Sequence, residues 1–277
     1  MRNKHSPLND VNTRSAIWRM FRDSADEDYL VARMALRSSL HYQFCWSSQQ
    51  AIEKYMKAAI LLNSDEPVAV VKGGHGLSEL FEKCLLFSGD LLPLVLCPPR
   101  GFWPDRAHEL RFFEKTEDYI ARVEAYGDPN NRYRMFSIVL DKKDLHKLDQ
   151  VVFMLRRIAF PLDIEFAGTG LKARDHLKQN RGLQLHSEMA FQKRIHKAGG
   201  DRITQDFEWI NWAFFYEKSR KESKVTRGTT AYNSEPYILF EQKSFGALDW
   251  LSKSAVPNRI GDEIRLEIEI ETAKNKN

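Results

Sequence analysis

Apolar residues recur at helical spacing through the first 160 positions, and prolines and glycines separate the runs. Residues 14–22 predict a short helix with Ile17, Trp18 and Phe21 on one side. Tyr29, Ala32, Leu36 and Leu40 predict a longer one from Asp26 to Phe44. Asp26 or Asp28 is suited to cap its first turn. A second long helix is predicted from Cys45 to Leu62, where Ile52, Tyr55, Ala59 and Leu62 form one buried stripe. Pro67 prevents its continuation. After the turn Gly73-Gly74-His75-Gly76, residues 77–87 predict a third helix. Pro93, Pro98, Pro99, Gly101 and Pro104 forbid regular structure over 94–104. A fourth helix is predicted over 105–126, with Leu110, Phe113, Ile120 and Val123 on one side. The fifth, over 142–160, carries Leu145, Leu148, Val152, Leu155 and Ala159, with Asp141 as its N-cap and Pro161 as its stop.

The pattern changes in kind after Pro161. Helices are predicted over 172–198 and 205–220. The latter is apolar on two faces, with Ile203, Phe207, Ile210 and Phe214 on one and Trp209, Trp212 and Tyr216 on the other. Tyr237–Phe240 reads as a short strand. Ile264, Leu266, Ile268 and Ile270 alternate with Arg265, Glu267, Glu269 and Glu271, the mark of a half-buried strand. The prediction is a mainly α protein in three parts: an N-terminal extension over 1–23, a helical bundle over 24–160, and a smaller α+β module over 161–277.

Composition narrows the class without naming a function. Of 277 residues, 43% are hydrophobic and 29% charged, a globular balance. Three cysteines, none in a C-x-x-C, argue against a disulfide framework or a structural zinc site. The polar N-terminus has no signal-peptide core, and no apolar run approaches a membrane span, so a cytoplasmic location is expected. The net charge of +4 permits a nucleic-acid partner without demanding one. It conceals a local excess over 172–227, where 13 basic and 7 acidic residues leave +6. No metal set is evident, and no cofactor is expected. The lone G-x-G-x-x-A at Gly168–Ala173 lacks the strands that a dinucleotide site needs.

Three groups of residues are candidates for chemistry. Gln49, Glu53 and Lys57 form a polar row along the second long helix, facing a ligand, a partner or solvent. Arg132 and Arg134 flank Tyr133 after a Pro-Asn-Asn turn. Guanidinium forks suit phosphates and a tyrosine suits a base, although carboxylates could equally pin such a loop. His75, after two glycines, is either an acid–base group or a residue that closes the turn before the third helix.

The order of several motifs resembles the HEPN family of nucleotide-binding helical domains. The pieces are Asp28-Tyr29-Leu30-Val31-Ala32-Arg33, then Gln49-Gln50-Ala51-Ile52-Glu53-Lys54-Tyr55-Met56-Lys57-Ala58, then His75-Gly76-Leu77, and finally Asn131-Arg132-Tyr133-Arg134. The resemblance spans about 24–160. It implies an antiparallel helical bundle, often a homodimer, and association with nucleotides or RNA. It also implies a nucleotidyltransferase or antitoxin as a partner, and a ligand surface at Gln49, Glu53, Lys54, Lys57, Arg132, Tyr133 and Arg134.

Active ribonucleases of that family carry R-x4–6-H, an arginine for the scissile phosphate and a histidine for proton transfer. The required windows here hold Ser137, Ile138 and Val139 after Arg132, and Val139, Leu140 and Asp141 after Arg134. The usual dyad is therefore missing. Arg181…His186 fits the spacing but lies beyond the resemblance. The first expectation is a nucleotide- or RNA-associated binding and regulatory module. The second is a metal-independent RNA endonuclease of a toxin–antitoxin or defence system, using Arg132 or Arg134 with an unusual histidine such as His75 or His146. The third is a structural bundle that recruits a protein partner.

Overall fold

The structure is a computed structural model. It describes residues 11–64, 76–98, 112–141, 143–165, 170–179, 211, 213–214, 229–232, 235–241, 248–249, 252 and 258–274. Two compact units share the chain. One comprises Met1–Gly127 with Lys142–Arg227, and the other Asp128–Asp141 with Gly228–Asn277. Neither is bounded at Pro161.

The first unit is a helical bundle. Helix α1 (Val11–Ile17) passes through a single π-helical turn, Trp18–Arg22, into α2 (Asp23–Arg37). Next come α3 (His41–Asn63), α4 (Leu77–Ser88), α5 (Thr116–Tyr126), α6 (Lys143–Ile158) and α7 (Ala173–Gln179). A two-residue ladder, β1 (Val95–Leu96) against β2 (Glu114–Lys115), precedes α5. Helix α3 is the axis, with α2, α4, α5 and α6 packed around it. Its stripe of Ile52, Tyr55, Ala59 and Leu62 is fully buried, as are Ala51, Met56, Ala58 and Ile60 on its other sides.

One long helix from Asp26 to Phe44 was the expectation, and the structure corrects it. Helix α2 stops at Arg37 because Ser39 turns left-handed, at φ 60°. The amide of Leu40 donates to the Ala35 carbonyl and that of Ser39 to Leu36, which satisfies the free carbonyls of the last turn. The fourth helix is also shorter at its start than predicted. Phe112 and Phe113 are not helical, and Phe113 is 83% exposed. The Thr116 amide donates to the Leu94 carbonyl and its hydroxyl to that of Pro93, so the β1–β2 ladder sets where α5 begins.

Helices α2 and α6 exchange charges twice. Asp26 of α2 receives Nε and Nη2 of Arg156 at 2.9 and 3.3 Å, together with the hydroxyl of Tyr55. Asp149 of α6 receives Arg33 of α2 and, at 2.7 Å, the hydroxyl of Tyr29. The two pairs are seven residues apart on each helix and run in opposite directions, which admits one antiparallel register. All four charged residues are buried. Asn63 ties the ends of α3 and α6. Its amide donates to the carbonyls of Ala59, Ile158 and Phe160, and its oxygen accepts from the Leu162 amide. Gly127 closes α5 against α3, where a Cβ would stand 2.3 Å from the Cβ of Gln49 and 2.9 Å from the Cys45 carbonyl.

The segment around residue 211 also joins this unit. The predicted helix over 205–220 lies mostly outside the described residues, but Asn211, Ala213 and Phe214 are not helical. The Asn211 side chain accepts from the Phe214 amide at 3.2 Å, a local turn that competes with a helix. Asn211 donates to the Tyr29 hydroxyl at 3.0 Å, and Phe214 meets Phe153 edge to face.

The second unit begins with a 3-10 turn, Pro129–Tyr133, and continues with β3 (Ile138–Asp141), β4 (Thr229–Tyr232), α8 (Glu235–Glu241) and α9 (Asn258–Lys274). Strands β3 and β4 pair antiparallel, Ile138 opposite Tyr232 and Asp141 opposite Thr229. Asp141 thus closes a strand. Met135, Leu248 and Ile264 form the core, with Phe136, Phe240 and Ile268 against it.

Both predicted C-terminal strands are helices. Pro236 stands in the first turn of α8, where its missing N–H costs nothing. In α9 five of the eight residues of the alternating segment are strong helix formers (three Glu, one Leu, one Arg) against three isoleucines, and Arg265 reaches back to Asp262 and Lys274 to Glu271, both at i,i+3. Of the helix predicted over 172–198, the described part is α7.

Candidate functional site

The polar row of α3 lies inside the bundle. Gln49 and Glu53 are 4% exposed and Lys57 is 7% exposed. The Lys57 ammonium donates to Glu53 Oε1 at 2.7 Å, and Gln49 Oε1 accepts from Gln50 at 2.8 Å. Lys54 projects from another side of the helix, to the Ser24 hydroxyl at 2.9 Å and Asp28 Oδ2 at 2.5 Å. The row therefore packs α3 rather than offering a solvated face.

His146 sits on α6 and is buried. Burial and the nearby Arg33 guanidinium push its pKa down to about 3. The imidazole is neutral at physiological pH, far from the value near 7 that suits a general acid or base. His75 and the Arg181…His186 pair lie outside the described residues.

A second charged cluster sits near the start of α6. Arg122 reaches Glu114 Oε2 at 2.9 Å and Asp144 Oδ1 at 2.8 Å. Lys147 meets the same two carboxylates at 2.7 and 3.2 Å. Burial works against the charge of Arg122, and Asp144 and Glu114 overcome it, so its pKa is raised. Two cations face two carboxylates here, which leaves no net positive field for a phosphate. Burial, with Asp144, also pushes the Cys45 thiol up to about 12. Among the described residues no group of three or more His, Cys, Asp or Glu side chains is placed to hold a metal ion.

The Arg132-Tyr133-Arg134 segment belongs to the second unit and has a different character. Asp128 caps its turn by accepting from the Asn130 amide at 2.8 Å, and Asn131 Oδ1 accepts from the Phe136 amide at 2.9 Å. Between these anchors Tyr133 is 71% exposed and Arg134 is exposed. Arg134 is left-handed, at φ 58°, a conformation that costs a non-glycine residue about 1 kcal/mol or more and is held by the surrounding turn. Exposed Tyr133 and Arg134 thus lie on a backbone anchored at Asp128 and Asn131.

Reading along the sequence missed the two buried ion pairs. Their signal was present: Asp26, Tyr29 and Arg33 step by 3 and 4, as do Asp149, Val152 or Phe153, and Arg156. A charge inside an apolar stripe, repeated with opposite sign on another helix, marks a pair of helices that meet.

Residues 18–125 match the model of the HEPN domain. Over those residues the chain is similar to the HEPN family. The match covers α2 through α5, and α6 lies beyond it although its ion pairs with α2 make it part of the same bundle. No curated protein and no solved structure gives a match. Among the described residues no helix is long and apolar enough to cross a membrane.

Proposed function

We propose that this chain is a HEPN-domain protein, an RNA- or nucleotide-associated binding and regulatory module that does not cleave RNA through that family's usual dyad. The observation that carries the reading is the pre-formed turn with exposed Tyr133 and Arg134. A base stacks on a tyrosine face, and a guanidinium takes the adjoining phosphate. The missing R-x4–6-H and the buried, neutral His146 support binding over catalysis. Association as a homodimer, or with a nucleotidyltransferase or antitoxin, belongs to the same proposal.

The test is fluorescence anisotropy with labelled single-stranded RNA on the full chain. Binding is expected at low salt and weakens as salt rises, because phosphate contacts release counterions. Tyr133→Ala is expected to weaken it by about 1–3 kcal/mol at every salt concentration. Arg134→Ala is expected to reduce the salt slope by about one. RNA cleavage that is lost in Arg132→Ala or Arg134→Ala would overturn the proposal in favour of the endonuclease. Absence of binding at low salt would leave the protein-recruiting bundle.

A further inference from the structure

Helix α9 resolves a conflict between pattern and structure in a way that leaves a surface uncovered. A strictly alternating run has one apolar side as a strand. As a helix, at 3.6 residues per turn, positions two apart lie about 200° from each other. Ile264 and Ile268 accordingly pack on the core of the second unit. Leu266 and Ile270 point the other way, 58% and 47% exposed, one turn apart on a single stripe. Asp262, Glu263, Glu267 and Glu269 flank them and are exposed. Among the described side chains of α9, Arg265 is committed to Asp262 and the Ser252 carbonyl, and Lys274 to Glu271 at 2.5 Å.

We infer that the Leu266–Ile270 face of α9 docks a basic amphipathic helix of a partner protein. The two side chains fit the i,i+4 anchors of helix-against-helix recognition. The acidic flank selects the partner's sign. It opposes a nucleic acid and an anionic membrane. It also opposes a second copy of α9, whose glutamates would stand against these. The inference is independent of the Tyr133–Arg134 reading, which concerns an anion and another part of the chain.

The probe is a fluorescein-labelled helical peptide with leucines on one face and lysines on the other, beside a twin that carries glutamates in place of the lysines. The full chain is expected to bind the lysine peptide, less tightly as salt rises, and not the glutamate peptide. In Leu266→Ser/Ile270→Ser binding is expected to fall by about tenfold or more. Both side chains are exposed, so the urea midpoint of that variant is expected to match wild type. In Glu267→Lys/Glu269→Lys the preference is expected to reverse toward the glutamate peptide. Equal binding of the lysine peptide to wild type and the serine variant would overturn the inference. So would an unreversed preference in the lysine variant, or a concentration-dependent dimer that Leu266→Lys dissolves, since the occupant would then be a second copy.

Discussion

Removing Arg33 tests the reciprocal ion pairs most directly. In Arg33→Met, Asp149 remains on α6, fully buried, with the Tyr29 hydroxyl as its remaining donor at 2.7 Å. Two unit charges about 4 Å apart interact by about 4 kcal/mol at an effective dielectric of 20. Loss of one partner of a buried pair typically costs about 3–5 kcal/mol, since the other is left as an uncompensated charge. Asp149→Leu is expected to cost about the same, because Arg33 then loses its carboxylate while its side chain stays buried. Arg33→Met/Asp149→Leu removes both ions and fills their space, so it is expected to cost far less than the sum. The residual loss comes from Tyr29, which keeps the Asn211 amide as a donor but loses the Asp149 carboxylate. Urea unfolding of the four proteins at one pH, with equal m-values, gives the coupling energy. A coupling of about 2 kcal/mol or more in favour of the double variant is expected. Additive costs would refute the reasoning, because Arg33 and Asp149 would then act as independent packing residues.

Other substitutions probe single features. His146 is folded with a pKa of about 3 and unfolds to one near 6.5, so the unfolded chain binds the extra proton between those values. Its contribution to stability is complete above pH 6.5 and is lost as the pH falls toward 3. Between pH 7.5 and 5.5 the loss is about 1.4 kcal/mol in wild type, and His146→Gln is expected to lack that share in urea titrations at the two pH values. Gly127→Ala places a methyl 2.3 Å from the Gln49 Cβ, and a loss of about 1–3 kcal/mol is expected in thermal unfolding. No loss would mean that α5 and α3 do not approach as closely as described. Ser39→Gly relieves the left-handed position that ends α2, and a gain of about 0.5–1 kcal/mol is expected in the same assay.

The helices around α3 were legible because one periodicity sufficed. The stripes of α3 and α6 (Ile52, Tyr55, Ala59, Leu62 and Leu145, Leu148, Val152, Leu155, Ala159) are all buried as spaced. The break at Ser39 was not legible, because serine does not announce a left-handed turn as glycine does. Strand β3 was missed since its partner, β4, is remote in sequence. In α9 the two-residue period pointed to a strand, while local propensity and i,i+3 charges favoured the helix that forms. Among the candidate residues, spacing put Gln49, Glu53 and Lys57 in one row but carried no information on burial. The other helices decide that, and they close over the row. Tyr133 and Arg134 are exposed, since a short capped turn leaves little room to hide them.

The pairing of β3 with β4 bears on how the chain is made. Residues 138–141 leave the ribosome long before 229–232. At about 5–20 residues per second, the roughly 90 residues between them impose a wait on the order of 5–20 s. During that wait Ile138 and Leu140, buried in the finished protein, belong to a strand with an open edge. The bundle helices on both sides of the strand need no such delay. A nascent or truncated chain ending before Gly228 would hold a near-complete bundle with one unpaired, aggregation-prone edge projecting from its sequence. Expressing the bundle alone therefore requires removal of 128–141 as well as the C-terminal residues.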